Sequence, residues 1–334
     1  MKIITEAMVE KYLTLPECIE AMRDVMVAVS AGDTTLPIRQ YMPIPNVPGK
    51  MALMPGTIED PGPCYGIKLV CKYEREPDSP YGTHVGMVLV FDSEKGLPLA
   101  MIEGASLTAI RTSAASAMAT DVLAKADCEI LSIIGCGEQA LRHVRAMLAV
   151  RDPKEIRAWG RNRDRASAFA KRVEAETGRD ITLSPTVETA VHEADLICTT
   201  TAAKTPILQG GWLKPGSHVN LVGAAIPTSA EADQDVVTGS RFFVDYKPAA
   251  MAAAGELLDA IEAGAASEAS IAGEIGEVMS GKVSGRTNAD EITVYKSLGV
   301  SAQDLAAGYK LYEIACREGF GIDINMMDYD AKSL

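Results

Sequence analysis

Between residues 129 and about 245, short apolar runs alternate with stretches whose apolar positions recur at helical spacing. EILSIIG predicts a buried strand, and EQALRHVRAMLAV predicts the helix after it, with Ala140, Leu141, Val144, Leu148 and Val150 spaced along it. The strand EIRAWG, the helix DRASAFAKRVEAETG and the strand DITLS follow. A short helix over Val187–Glu193 then leads into the strand ADLICTTT, and HVNLVGA and RFFVDY predict two more strands. Strands separated by helices of this length imply a parallel sheet covered on both faces.

The first 115 residues carry a different pattern. A helix near Pro16–Ser30 precedes the strand-like segments IRQYMPI, MALMPGTI, GIKLVCKYE, GMVLVFD and LPLAMIE. Turn signals (PGP, PDSPYG, EKGLP) separate them, so an antiparallel α+β unit is expected. ASLTAIRTSAASAMATDVLA reads as a helix of small residues that carries the chain into the alternating region. Beyond it, Ala249–Gly264 and Ser301–Glu318 read as helices, with Gly319 placed to end the second. The closing helix is expected to pack on the first unit. The fold class is therefore α/β: a doubly wound parallel sheet over 118–299, inserted in a second α+β domain formed by 1–117 and 300–334. A chain of 334 residues is long enough for two domains.

The net charge of −13 changes the picture for partners. A field of that sign repels phosphate backbones and anionic lipid, so neither nucleic acid nor a membrane surface is expected. Any site for an anion has to be built locally from cations and backbone N–H groups. The seven cysteines are scattered without a CxxC, and the four histidines match no zinc spacing, so reduced thiols and no metal site are expected. With neither a signal-peptide pattern nor a long uncharged apolar run, the chain reads as cytoplasmic.

Gly135-Cys136-Gly137-Glu138-Gln139-Ala140 is a GxGxxA sequence between a strand and a helix, the context that gives it meaning. Gly135 permits the tight turn, Gly137 lets backbone approach a pyrophosphate, and Ala140 allows close helix–strand packing. Glu138 and Gln139 open the helix whose N-terminus faces the phosphates. At the end of the second strand, where an acid would accept from a ribose 2′-hydroxyl, the chain has Arg161-Asn162-Arg163. Two guanidinium groups and an amide suit a 2′-phosphate, so NADPH is expected in preference to NADH. Thr200 and Gly223 end later strands and are expected at the cofactor crevice. Arg39, Lys68 and Arg111 each interrupt an apolar or small-residue stretch, a position that requires either an acidic partner or a bound anion.

TLPIRQYMP, MALMPG, YGIKLV, SPYGTHVGMVLVFDSEKGLPLAMIEGASLTAIRTSAASAMAT, IIGCGEQA, VNLVGAAIP, GEIGEVMSGKVSGR and VYKSLGVSAQDLAA together resemble the ornithine cyclodeaminase/mu-crystallin family over nearly the whole chain. The resemblance implies a substrate and dimerisation domain around a Rossmann domain, and a homodimer through the N-terminal sheet. It also implies that Arg39, Lys68 and Arg111 are substrate-site residues, with the arginines on a carboxylate, and that Thr83, His84 and Thr112 approach the cofactor. One position departs from the cyclodeaminases. Where they carry Gly-Gly-Asp-Cys-Pro, this chain has Gly223-Ala224-Ala225-Ile226-Pro227, and alanine cannot act as a general base. Reduction of a cyclic ketimine such as Δ1-pyrroline-2-carboxylate or Δ1-piperideine-2-carboxylate, to L-proline or L-pipecolate, is therefore expected, with Lys68 as the group near the imine nitrogen. The alternatives are ornithine or lysine cyclodeamination, amino-acid dehydrogenation of the alanine dehydrogenase type, and ligand binding without turnover in the manner of mu-crystallin.

Overall fold

The computed structural model describes residues 1–47, 49–73, 79, 82 and 84–325. The chain divides into two compact units. One comprises Met1–Ala21, Gly32–Arg111 and Ser301–Leu334; the other comprises Met22–Ala31 and Thr112–Val300.

The first unit is built on a sheet of β1 (Lys2–Ile4), β2 (Thr34–Thr35), β3 (Gln40–Ile44), β4 (Gly49–Ile58), β5 (Cys64–Tyr73), β6 (His84–Asp92) and β7 (Pro98–Glu103). β4, β5, β6 and β7 are antiparallel neighbours, with β2 and β3 both paired to β4. The expectation of a purely antiparallel sheet is corrected at one edge. β1, which no sequence pattern marked, runs parallel to β7 and pairs on its other side with Ile322–Asp323.

Side chains alternate between the faces of a strand. In β4 and β5 this buries Ala52, Met54, Ile58 and Cys64 on one face, against the helix Ser301–Glu318. The packing is close: a Cβ at Gly66 would lie 2.7 Å from Leu305 Cδ2, and one at Gly308 would lie 3.1 Å from Ile102 Cδ1. Lys68 shares this inward phase with Cys64 and Gly66, which places a cation among apolar neighbours, 3% exposed. Gly319, at φ +73°, ends the closing helix in the left-handed conformation that glycine tolerates.

The second unit contains β8 (Ile130–Ile134), β9 (Glu155–Trp159), β10 (Thr182–Leu183), β11 (Leu196–Thr199), β12 (His218–Leu221), β13 (Arg241–Val244), β14 (Ile271–Glu274) and β15 (Thr293–Lys296). All are parallel, in the order β10-β9-β8-β11-β12-β15-β13-β14. The order reverses between β8 and β11, the switch point at which open α/β sheets form a ligand crevice. β14 and β15 were not among the expected strands, although β15 is inserted between β12 and β13. Its four residues are fully buried, so TVYK has neither the alternation of a half-exposed strand nor the length of a helix.

The single helix expected over Ala249–Gly264 is two, Lys247–Ala253 and Gly255–Glu262, broken at Ala254 (φ −81°, ψ 90°). The break brings backbone against backbone at Gly255, where a Cβ would lie 2.0 Å from the carbonyl oxygen of Ser229. The cysteines are free thiols, with Cys18, Cys64, Cys128 and Cys198 buried. His143 and His218 are buried core groups. Ser116 lies 2.9 Å from His143 Nε2, Thr293 lies 2.9 Å from His218 Nδ1, and burial pushes both imidazoles down, to about 4 and about 3. Among the described residues no helix is long and apolar enough to cross a membrane, and no cluster of acids, histidines and cysteines is placed to hold a metal.

Candidate active site

The turn after β8 is shaped for close approach by a ligand. Gly135 has φ +126°, a conformation that side chains rarely adopt, and its N–H donates to the carbonyl of Trp159 (2.8 Å). A Cβ there would lie 2.7 Å from Thr200 Oγ1. Gly137 is the N-cap of the helix Glu138–Val150 and offers no side chain to the free N–H groups of its first turn. Nothing lies within 4 Å of the Cβ that Gly137 lacks, so the helix N-terminus faces open space. Gln139 Oε1, in that first turn, is buried without a hydrogen-bond partner among the described residues. Bare N–H groups and an absent cap fit a dinucleotide phosphate. Glu138 differs from the expectation in its side chain, which pairs with Arg142 (2.9 Å) and Arg172 (3.1 Å). Only its backbone remains for a ligand.

Past the end of β9, Asn162 caps the helix Arg163–Thr177, its Oδ1 accepting from the N–H of Arg165 (2.9 Å). Its oxygen is thereby committed and its amide N–H groups remain. Arg161 and Arg163 are exposed and form no ion pair among the described residues.

The ends of β11 and β12 are tied together from below. Thr200 lies against the Gly135 turn, its N–H donating to the carbonyl of Ile134 (2.8 Å). Gly223 is exposed on one side, but its N–H turns inward to Glu231 Oε2 (2.6 Å). That inward bond was not anticipated.

The basic residues of the first unit gather around one acid. Lys68 Nζ lies 2.9 Å and Arg111 Nε 2.8 Å from the same oxygen, Asp304 Oδ1, and Arg111 Nη1 donates to Gln303 Oε1 (3.0 Å). All four residues are at least 96% buried. Asp304 and Gln303 stand in the first turn of the closing helix. The sequence showed that helix but not what its first turn would meet.

Two cations against one carboxylate leave an excess of one positive charge. Burial depresses the Lys68 ammonium to about 7; Asp304 opposes that shift, and Arg111 and Arg39 add to it. Burial alone would raise the Asp304 carboxyl, but Arg111 and Lys68 together hold it below the usual range. Arg39, just before β3, donates to the Tyr41 hydroxyl (3.2 Å). Cys18 lies close enough to feel Arg111 and Asp304, but burial pushes its thiol up to about 12, so it is no nucleophile at neutral pH. His84 opens β6 opposite Lys72 and is exposed. Thr112 follows Arg111 in the helix Gly104–Leu123 and is buried. Thr83 lies outside the described residues.

Known proteins resemble this chain over most of its length. The model of the ornithine cyclodeaminase/mu-crystallin family matches residues 1–319. The chain is 34% identical to a Delta(1)-pyrroline-2-carboxylate reductase of Bacillus cereus over 322 residues, 96% of this chain and 98% of that one. It is 36% identical to the ketimine reductase mu-crystallin of Mus musculus over 284 residues, 84% of this chain and 86% of that one. The solved structure of Thermococcus litoralis Delta(1)-pyrroline-2-carboxylate reductase, in complex with NADH and L-proline, is similar with a TM-score of 0.92 and 29% identity. That likeness covers 97% of this chain and 100% of the other. The match runs almost from end to end, and the chain belongs to the ornithine cyclodeaminase/mu-crystallin family.

Proposed function

We propose that this protein reduces a small cyclic ketimine carboxylate, Δ1-pyrroline-2-carboxylate or Δ1-piperideine-2-carboxylate, to the corresponding L-amino acid. The observation that carries this reading is the shared acid. Lys68 and Arg111 converge on Asp304 and keep one uncompensated positive charge in a buried setting. A substrate carboxylate is the anion that offsets it. Arg111 commits Nε to Asp304 and Nη1 to Gln303, which fixes the plane of the guanidinium before a ligand arrives. A fixed donor saves the ordering cost that a mobile arginine would bring. Arg39 supplies a second guanidinium at the less buried side.

A nicotinamide dinucleotide, which the backbone at Gly135 and Gly137 would hold, would supply the hydride. The work of the chain's own side chains is binding and proton placement. A C=N carbon accepts hydride readily only when its nitrogen is protonated, and the Lys68 ammonium, held near neutral pKa, keeps a proton available there. Asp304 attracts both Lys68 and Arg111 and offsets part of their mutual repulsion. The loop after β12 has Ala225 where the cyclodeaminases have an acid, so the cyclodeaminase reaction has no base at this position. The 2′-phosphate of NADPH suits Arg161, Arg163 and the free amide of Asn162, which favours NADPH over NADH. The protein is read as cytoplasmic, in keeping with its free thiols.

The outer face of the first unit's sheet supports a homodimer. Leu53, Ile67, Leu69, Val85, Met87 and Met101 stand on the side opposite the closing helix and remain half-buried or exposed. A solvated sheet face carries polar residues in these positions, and an apolar one needs a cover. A second copy of the same sheet supplies one with the required symmetry.

Four outcomes test these statements. Cyclic ketimine carboxylates will drive nicotinamide oxidation, followed at 340 nm; Arg111→Ala will raise KM and lower kcat/KM by about 10²- to 10⁴-fold, since removing a buried charge partner costs about 3–5 kcal/mol. Oxidation with no ring size, five- or six-membered, would end the proposal. The pH profile of kcat/KM for reduction will fall as pH rises through about 7, because the protonated Lys68 is the competent form and is lost above its pKa; in Lys68→Arg that limb will be absent. Replacing Arg161 and Arg163 together by Ala will raise KM for NADPH about tenfold or more relative to NADH, each charged hydrogen bond contributing about 1.5–3 kcal/mol. Equal effects on the two nucleotides would remove the 2′-phosphate contact. Finally, sedimentation velocity will give a dimer for the native chain and a monomer for Met87→Lys.

A further inference from the structure

A second buried charged cluster lies in the other unit, away from Asp304 in sequence and built of different residues. Glu231 is 0% exposed, yet its carboxylate accepts five hydrogen bonds. Thr199 Oγ1 (2.8 Å), Gly223 N (2.6 Å) and Ala224 N (3.3 Å) donate to Oε2; Thr201 N (2.6 Å) and Thr201 Oγ1 (2.8 Å) donate to Oε1. These donors stand at the carboxyl ends of two adjacent strands, β11 and β12, and they saturate the oxygens with N–H and O–H groups alone. The backbone of Glu231 is held in turn, its N–H donating to Glu256 Oε1 (2.9 Å). Glu256 pairs with Lys296 (2.8 Å), and Lys296 Nζ, at the end of β15, donates to the carbonyl of Ala224 (2.6 Å). Glu256 and Lys296 are at most 1% exposed.

Burying two carboxylates and a lysine is costly, and nonpolar residues of the same volume hold a fold at least as well. What the cluster does that apolar packing does not is fix backbone. It turns the N–H groups of residues 201, 223 and 224 inward and pins the segment that contains Thr200. Thr200 in turn lies against Gly135, where a Cβ would meet its Oγ1 at 2.7 Å and its carbonyl oxygen at 3.0 Å. The clamp thus reaches the turn that receives the pyrophosphate through one intervening residue. Space is tight at the other loop as well, since a Cβ at Gly223 would lie 2.0 Å from the carbonyl oxygen of Thr201. Neither loop has room to drift while Glu231 holds both.

We propose that Glu231 is a positioning residue for the dinucleotide, whose carboxylate sets the two loops after β11 and β12 in the arrangement that receives the cofactor. The inference rests on the nucleotide site described above and concerns a residue that does not itself touch the ligand. Glu231→Gln tests it closely. The amide keeps the shape but turns an N–H₂ toward donors on one side, so that one loop loses its acceptor whichever way the group is oriented.

The measurement is a titration of the full-length protein with NADH and with NADPH, followed by nicotinamide fluorescence at 25 °C, with circular dichroism to verify the fold and thermal melting alongside. The native protein will bind at least one nucleotide; if it binds neither, the nucleotide site itself is wrong. Given binding, Glu231→Gln will raise Kd about tenfold or more, the factor that one misdirected charged hydrogen bond represents. Single-turnover hydride transfer at saturating nucleotide will slow as well. Val173→Ala, a buried change in the helix Arg163–Thr177, will lower the melting temperature and leave Kd unchanged, which separates positioning from general destabilisation. Should Glu231→Gln fail to fold, Thr201→Val and Thr201→Ser carry the test: valine removes one donor to Glu231 and will weaken binding, whereas serine retains it and will restore native Kd. A folded Glu231→Gln with native Kd and hydride transfer, or equal Kd in the two Thr201 variants, overturns the proposal.

Discussion

Two buried cations share a single oxygen of Asp304, and the first unit is arranged around that imbalance. Lys68 comes from the inward phase of a strand, Arg111 from a helix of small residues, and Asp304 from the first turn of the closing helix. A buried charge without a partner would cost several kcal/mol, so none of the three is tolerable without the others. One carboxylate satisfies the pair only in part. The cluster is stable enough to exist and still poised to accept a further negative group. Its composition also accounts for the depressed pKa of Lys68, in which burial and Arg111 prevail over the attraction of Asp304. The same arrangement leaves an ammonium ready to part with its proton near neutrality.

The second unit solves a different problem. A dinucleotide is polyanionic and the chain carries a net charge of −13, so a site for it has to be built locally. Gly135 and Gly137 remove side chains from the path of approach, and the uncapped helix start presents N–H groups. Backbone donors are useful only when the backbone is held. The loops after β11 and β12, on one side of the turn, are held by the buried carboxylate of Glu231, an anion placed where it organises the strand ends from within.

Much of this was legible in the sequence because it follows period. The alternating strands of the first unit, the helix that ends at Gly319 and the strand–turn–helix at Gly135 all fall where hydrophobic spacing and glycine place them. Arg39, Lys68 and Arg111 stood out as cations interrupting apolar or small-residue stretches, and the family resemblance added a role for them. What stayed hidden has a common cause. β15 is buried on both faces and too short for a period to show. The break at Ala254 arises from a backbone approach at Gly255 that local sequence does not encode. Asp304 and Glu231 are acids in a chain rich in acids, and only tertiary pairing across 193 residues to Arg111, or across 32 to Thr199, distinguishes them. Charge partners are chosen by the fold, and spacing along the chain carries no record of the choice.

A ligand carboxylate would complete the charge balance of the Lys68–Asp304–Arg111 cluster. Isothermal titration calorimetry with pyrrole-2-carboxylate, a ring that is planar at the same carbon as the imine, and with its uncharged carboxamide tests that claim directly. Nucleotide-saturated protein will bind the carboxylate at least about a hundredfold more tightly, a difference of about 2.7 kcal/mol in keeping with a charged hydrogen bond to a buried guanidinium. Equal affinity for acid and amide would contradict the account, because a neutral ligand leaves the buried positive charge as it was.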